Sequence, residues 1–366
     1  MRKEIEIMTK EEKLYSDEKI DSTVFKCPNC KGEMVFDPKV QKMRCLYCGT
    51  LLDVEKDANV GERDLSELID EGKVWKEAEV YQCQSCGAKE ILEHQEVSVR
   101  CPFCGTSNVV KTDELPGIKP QGIVPFVINK NEATKIAVSW AKKKRYAPNT
   151  FKKNVKAENI HGIYNPVFTF DAKTHSIYKG QLGKNYTVTR HSNGRTYTEV
   201  KTRYFYISGS QNVNFDDLLV QASSNIPLSV IRKIEPFDTN KSVKYKTQFL
   251  RGYAASTYNK SGTECWDECK TIMKNRIEFS ILKKYDYDVK VFLNVQTTLL
   301  SKTYKYILVP LYVGHYSYKK TNYNFYVNGE NGNVYGKTPV SGWKVFFTVL
   351  GVLLLVAGII ALFYFL

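Results

Sequence analysis

Histidine is sparse in this sequence. Its five copies, His94, His161, His175, His191 and His315, are scattered, and none has a carboxylate or cysteine at a spacing that would build a catalytic pair. Solvated or hydrogen-bonded side chains are the expectation for all five. No His-Glu-x-x-His, Gly-x-Ser-x-Gly or Gly-x-Gly-x-x-Gly occurs, so the signatures of zinc proteases, serine hydrolases and dinucleotide-binding folds are missing. Gly336-Lys337-Thr338 resembles the end of a phosphate-binding loop. That loop needs a glycine where Asn331 stands, five residues before Gly336, and a helix start where Pro339 follows. The charged stretch Met1 to Lys19 lacks an apolar core, so no secretory signal is read there. Without export the thiols are expected to stay reduced. Nothing points to a reaction, and the expectation is a protein that is not an enzyme.

Cysteine, in contrast, is concentrated. Eight of the ten cysteines form four Cys-x-x-Cys pairs, Cys27/Cys30, Cys45/Cys48, Cys83/Cys86 and Cys101/Cys104. Fourteen residues separate the pairs within each half, and the second half repeats the first at an offset of 56, so the segment is an internal duplication. Two residues between cysteines let a tight turn hook one metal ion, and two such knuckles complete a tetrahedral four-thiolate site. A glycine follows Cys48, Cys86 and Cys104 where the chain must turn back. Short β-like pieces, Glu33–Phe36 and Gln41–Arg44, flank the turn at Asp37-Pro38-Lys39, and Glu90–Leu92 and Val97–Arg100 are their counterparts. Zinc is the expected metal, with iron in a rubredoxin-like site as the alternative. Redox use needs one pair left free, and here every pair has a mate. Two closed, structural Zn²⁺ sites are expected, which supply folding energy and offer no open position. Four thiolates leave each site with a charge of about −2, which Lys26, Lys31, Arg44, Lys89 and Arg100 would offset.

The remaining chain sets the architecture. With 366 residues, 43% apolar and 25% charged, it has room for two or three domains. The expected fold is multidomain: a polar N-terminal segment (1–25), a zinc ribbon (26–54), an acidic connector (55–80), a second ribbon (81–112), an α+β domain with an antiparallel sheet (121–340) and a C-terminal transmembrane helix (345–366). Within the connector, Ser66–Val74 reads as helical and Trp75 as a cover for a ribbon face. Leu115-Pro-Gly-Ile-Lys-Pro120 punctuates the chain. Asn131 is expected to cap a helix running to about Lys144. Strands are expected over Ile163–Phe170, Ile177–Arg190, Thr196–Ser208, Val289–Leu293, Lys305–Tyr318 and Tyr323–Val327, with a hairpin turn at His191-Ser-Asn-Gly194. Phe215–Ala222 reads as one or two helical turns. Gly262–Lys284 reads as a long amphipathic helix whose stripe includes Cys265 and Cys269, expected as buried thiols rather than ligands.

The charge is lopsided. Residues 1–120 carry 18 Lys/Arg against 24 Asp/Glu, and residues 121–366 carry 35 against 15. Val345–Leu366 has no charge at all. As a helix its 22 residues measure roughly 33 Å, enough for a hydrocarbon core of about 30 Å. Trp343 and Tyr364 stand where interface aromatics are favoured, and Lys337 and Lys344 precede the span. The positive-inside preference then expects a single-pass cell-membrane protein with its body in the cytoplasm. The basic half would lie beside an anionic leaflet, where each near-surface base contributes about 1 kcal/mol. The base run at Lys142-Lys-Lys-Arg145 ends a predicted helix, where solvation explains it. Contact with acidic phosphate groups is the sharper reading.

Cys27-Pro-Asn-Cys30, Cys83-Gln-Ser-Cys-Gly87 and Cys101-Pro-Phe-Cys-Gly105 resemble the transcription-factor-IIB-type zinc ribbons of a bacterial double-ribbon family. The likeness continues through Val124-Pro-Phe126, Tyr146-Ala-Pro-Asn149, Tyr164-Asn-Pro-Val-Phe-Thr-Phe-Asp171, Tyr178-Lys-Gly-Gln181 and Val327-Asn-Gly-Glu-Asn-Gly-Asn-Val334. Members are often labelled primosomal helicase-like, but no motor motif is present. The membrane-anchored branch resembles a component of the complex that recruits phage-shock protein A and a flotillin-like protein in envelope stress. The resemblance therefore implies an adaptor with those partner types, and it supplies no catalytic residues. The alternative is a membrane-tethered nucleic-acid-binding protein. Against the ribbons as its contact surface, residues 26–54 carry five bases and three acids, and residues 81–112 carry three of each.

Overall fold

The structure, a computed structural model, describes residues 26–58, 60–68, 80–86, 88–91, 101, 103, 109–112, 118–155, 160–192, 195–319 and 321–365. The segment 1–25, Trp75, most of Ser66–Val74, Val97–Arg100, Cys104, the first half of the Leu115–Pro120 stretch and the turn residues Asn193 and Gly194 lie outside the described residues. Strands β1 (Met34–Asp37), β2 (Lys42–Cys45) and β3 (Leu51–Asp53) form a small antiparallel sheet. Short strands β4 (Arg63–Asp64), β5 (Val80–Cys83), β6 (Lys89–Ile91), β7 (Val109–Thr112) and β8 (Gly122–Ile123) follow. Of the expected connector helix, the described residues form a short 3₁₀ turn at Leu65–Glu67.

Helix α1 (Lys130–Lys143) starts at Asn129, not at Asn131 as expected. Asn129 accepts from Glu132 N at 2.9 Å, and Glu132 returns the bond by accepting from Asn129 N at 3.2 Å. This reciprocal box uses the acid at the third helical position, which an Asn131 cap would not have. Helix α2 (Asn149–Asn154) closes the corner.

Strands β9 (Ile160–Ser192) and β10 (Arg195–Gln221) form one hairpin, and β13 (Val289–Tyr318) pairs with β9 on its other edge. Between β10 and β13 come helix α3 (Leu228–Ile234), strands β11 (Val243–Lys244) and β12 (Ala254–Ser256), and helix α4 (Gly262–Leu282). After β13 come β14 (Thr321–Asn328), β15 (Val334–Gly336) and helix α5 (Gly342–Phe365). The sheet is mostly antiparallel, with short parallel pairings of β8 with β13 and of β12 with β9.

The separate strands expected from the sequence are thus joined into ladders. Asp171 to Ser176 is polar yet alternates strictly: Ala172, Thr174 and Ser176 are buried, whereas Asp171, Lys173 and His175 are not. A strand needs that period of two, not apolarity throughout. The expected helical turns at Phe215–Ala222 are strand instead. A bulge between Phe215 and Leu218, with Asp217 at φ 47°, inserts one residue. The insertion breaks the alternation and leaves a false helical spacing.

Both faces of the sheet are covered at the Ile160 end, whereas farther along the long strands Ile177, Tyr204 and Tyr206 stay exposed. On one, Ile160, Tyr164, Leu308 and Tyr312 meet α1 and the N-terminal cysteine module through Met34, Phe36 and Met43. Farther along that face, Phe168, Phe170, Tyr178 and Leu182 meet Cys265, Cys269, Met273, Ile277 and Ile281 of α4. On the other face, Ile163, Val167, Ile307, Val309, Leu311 and Val313 meet α3 and Cys83, Ala88, Cys101 and Phe103 of the second module. The duplicated modules therefore sit on opposite faces of one sheet. The second also joins its edge, since β6 pairs with β12.

A polar knot ties the connector to the sheet. Lys305 Nζ lies 2.8 Å from Asp217 Oδ1 and 3.6 Å from Glu62 Oε1. Burial, with a hydrogen bond to Glu62 adding to it, pushes the Asp171 carboxyl up to about 7.

Candidate metal centres and the terminal helix

Cys27, Cys30, Cys45 and Cys48 converge so that their sulfurs all lie within 4.8 Å of one another, and Cys83, Cys86 and Cys101 do the same. The fourth expected ligand of the second cluster, Cys104, lies outside the described residues. Cys27–Cys48 and Cys30–Cys48 are 3.4 Å apart, and Cys30–Cys45 is 3.5 Å. Disulfide sulfurs would be about 2.05 Å apart. Four sulfurs on Zn²⁺ at about 2.3 Å in a tetrahedron would be about 3.8 Å apart. The donors thus fit a metal and not a disulfide, and four soft thiolates suit zinc.

Local geometry repeats with the sequence. Cys27 N donates to Gly32 O at 2.8 Å, and 56 residues on Cys83 N donates to Ala88 O at 2.9 Å. Lys26 bridges to Glu33, and Gln82 pairs with Lys89 at the equivalent place. Cys30–Cys45 at 3.5 Å has its counterpart in Cys86–Cys101 at 3.6 Å. Each knuckle has one buried and one exposed cysteine where both are described: Cys27 and Cys45 face the core, Cys30 and Cys48 face outward, and Cys83 and Cys86 follow suit. In the first cluster the Thr50 hydroxyl, 3.1 Å from Cys48 Sγ, pulls that thiol down to about 6. The Gly32 amide lowers Cys30, but neighbouring Cys48 and Cys45 outweigh it and push that thiol up to about 12. Sulfurs packed this closely cannot all ionise without a cation among them. Of the expected basic neighbours, Arg44 turns to Asp37 at 2.7 Å.

Cys265 and Cys269 lie buried on α4, where burial pushes the Cys269 thiol up to about 12. They belong to neither cluster. His175 bonds Asn212 at 2.6 Å and His191 bonds Thr196 at 2.8 Å. The rings of His161 and His315 stack 5.9 Å apart.

The terminal helix begins three residues before the expected span. Gly342–Tyr364 is 23 residues long and apolar enough to cross a membrane, and none of its apolar window is buried in the rest of the protein. A core helix of that composition would be covered. Its foot is bonded to the α1–α2 corner. Ser341 N donates to Tyr146 O at 2.8 Å, and Lys344 Nζ donates to Ala147 O at 2.7 Å and Asn149 Oδ1 at 2.8 Å. No sequence signal announced that juxtaposition of residues almost 200 positions apart.

The chain is similar to a Bacillus subtilis (strain 168) protein named uncharacterized protein YdjG, with 27% identity over 327 residues that cover 88% of this chain and 91% of that one. No family model matches the chain. No solved structure matches it either.

Proposed function

We propose that this protein is a non-catalytic adaptor anchored in the cell membrane by α5, with two structural zinc ribbons, that holds protein partners at the cytoplasmic face. The bare apolar surface of α5 carries the reading: an uncovered helix of this length in water would expose a large apolar patch with no internal compensation. The four sulfurs of the first cluster support a structural role for its metal, since they would take all four positions of a tetrahedral ion. Away from the anchor, Ile177, Tyr204 and Tyr206 are exposed on the long strands and offer contact area for partners. The motif resemblance suggests phage-shock protein A-like and flotillin-like proteins as those partners, in an envelope-stress response.

The test is a deletion of residues 342–366, followed by membrane fractionation and affinity purification from detergent-solubilised membranes. The full chain should sediment with membranes and bring partner proteins with it. The truncated chain should move to the soluble fraction and release its partners from the membrane. Retention of the truncated chain and its partners in the membrane fraction refutes the adaptor reading.

A further inference from the structure

Between Ala133 and Val155 the chain has seven bases and no acid. Six of them, Lys142, Lys143, Lys144, Arg145, Lys152 and Lys153, fall at the end of α1, in the corner after it and in α2. This corner is the surface from which α5 springs, through the bonds of Ser341 to Tyr146 and of Lys344 to Ala147 and Asn149. A base run far from the terminal helix in sequence is thereby set around its foot.

Favourable placement at a helix C-terminus accounts for Lys142 and Lys143. The same placement at the end of α2 accounts for Lys152 and Lys153, but not for Arg145, which lies between the two helices, for the convergence of both basic helix ends on one corner, or for the absence of a counter-charge. Among the described residues no carboxylate pairs with any of the six. Lys144 lies over the Trp140 ring at 5.0 Å, and Lys152 Nζ donates to Lys142 O at 3.1 Å. Lys142, Lys143, Arg145 and Lys153 remain exposed and free of such duties.

We propose that this corner binds the phosphate-bearing headgroups of anionic phospholipids in the leaflet that α5 enters, an inference that rests on the reading of α5 as a membrane span. Lys344 lies in the first turn of α5 and touches the corner, so the corner lies at headgroup depth when the apolar residues after it enter the hydrocarbon. Exposed Trp343 and Tyr146 flank it, as interface aromatics do. Long basic side chains reach along the interface with their charge in the headgroup layer, and clusters of four to eight bases beside a span recognise anionic lipid. A nucleic acid would have to lodge between the body and the bilayer, which the geometry disfavours. The contact also sets orientation. Tyr316 Oη donates to Thr150 Oγ1 at 3.3 Å, so the corner sits at the Ile160 end of the long strands, and the Ser192 end of β9 lies away from the membrane.

The experiment uses the full-length protein in lipid nanodiscs, either all phosphatidylcholine or about one-third phosphatidylglycerol, with hydrogen exchange read on peptides covering 140–155. Exchange should slow several-fold in the anionic discs and recover in about 0.5 M salt, where screening is short-ranged. In a Lys142→Gln/Lys143→Gln/Arg145→Gln/Lys153→Gln variant the difference should vanish, while exchange elsewhere stays unchanged. Equal exchange in both disc types, with the protein inserted, overturns this inference and leaves the anchor reading intact. Failure to enter discs at all refutes the anchor reading. Equal protection by inorganic phosphate or a DNA oligonucleotide in neutral discs overturns the assignment to lipid.

Discussion

Removing the metal from the Cys27–Cys48 cluster should unfold much more than the segment that holds it. Its small sheet and the chain after it contribute Met34, Phe36, Met43 and Val54 to the core shared with α1, Phe249 and Tyr312, all between 1 and 7% exposed. Phe36 also meets Phe249 edge to face at 5.1 Å. At about 1.5–3 kcal/mol per buried side chain, these four represent about 6–12 kcal/mol of burial. An upper-bound correction for a compact unfolded chain lowers the figure by roughly a tenth to four-tenths. Strands of three and four residues do not persist without a staple, so loss of the ion releases most of that burial. A loss of even 3 kcal/mol should lower the melting temperature of a body this size by about 4–5 °C. The assay is elemental analysis with thermal unfolding of the full chain in detergent, followed by near-ultraviolet circular dichroism, on Cys45→Ala and Cys48→Ala. Cys45 is buried and Cys48 exposed, so equal shifts in the two variants assign the effect to the metal rather than to a lost core group. One metal fewer with an unchanged transition for the rest of the protein would refute the reasoning.

Two further outcomes follow from the packing. Asp171 holds its proton to about 7 in the folded state and to about 3.9 when unfolded. The folded protein therefore binds the extra proton between these values, and stability should fall as pH rises from about 4 to about 7, by at most about 1.4 kcal/mol per pH unit. Asp171→Asn should flatten this slope and be the more stable protein at pH 8 in urea titrations, and parallel curves for the two proteins would count against the assignment. Asn328 is fully buried; its Nδ2 donates to Ile234 O at 3.0 Å and Pro236 O at 3.1 Å, and its Oδ1 accepts from Glu330 N at 2.8 Å. Asn328→Ala leaves these backbone groups without a partner and should cost about 2–4 kcal/mol, with Asn328→Asp at least as costly because a carboxylate accepts and cannot donate to the two carbonyls; a melting temperature unchanged in both would show that water replaces the amide.

What the sequence alone determined is what depends on short separations. Cysteine spacing fixed the knuckles, because three-residue reach is local chain geometry. The 56-residue offset carried over to matching hydrogen bonds at Cys27 and Cys83. The stripe of α4 was visible because a helix reports its buried face every three or four residues, and its capping box at Ser261 and Glu264 is just as local. An uncharged tail of 22 residues could be seen as a span by composition alone. The strand lengths were only half legible. Polar residues at Asp171–Ser176 and the bulge at Asp217 masked ladders that are continuous, because register is decided by the partner strand and not by the strand itself. Three arrangements were left to the tertiary structure: the two cysteine modules on opposite faces of one sheet, the Glu62–Asp171–Asp217–Lys305 knot, and the base run of α1 at the foot of α5. Each depends on residues brought together across large sequence separations by burial of apolar faces, a force without direction that leaves no local pattern in the residues it finally sets side by side.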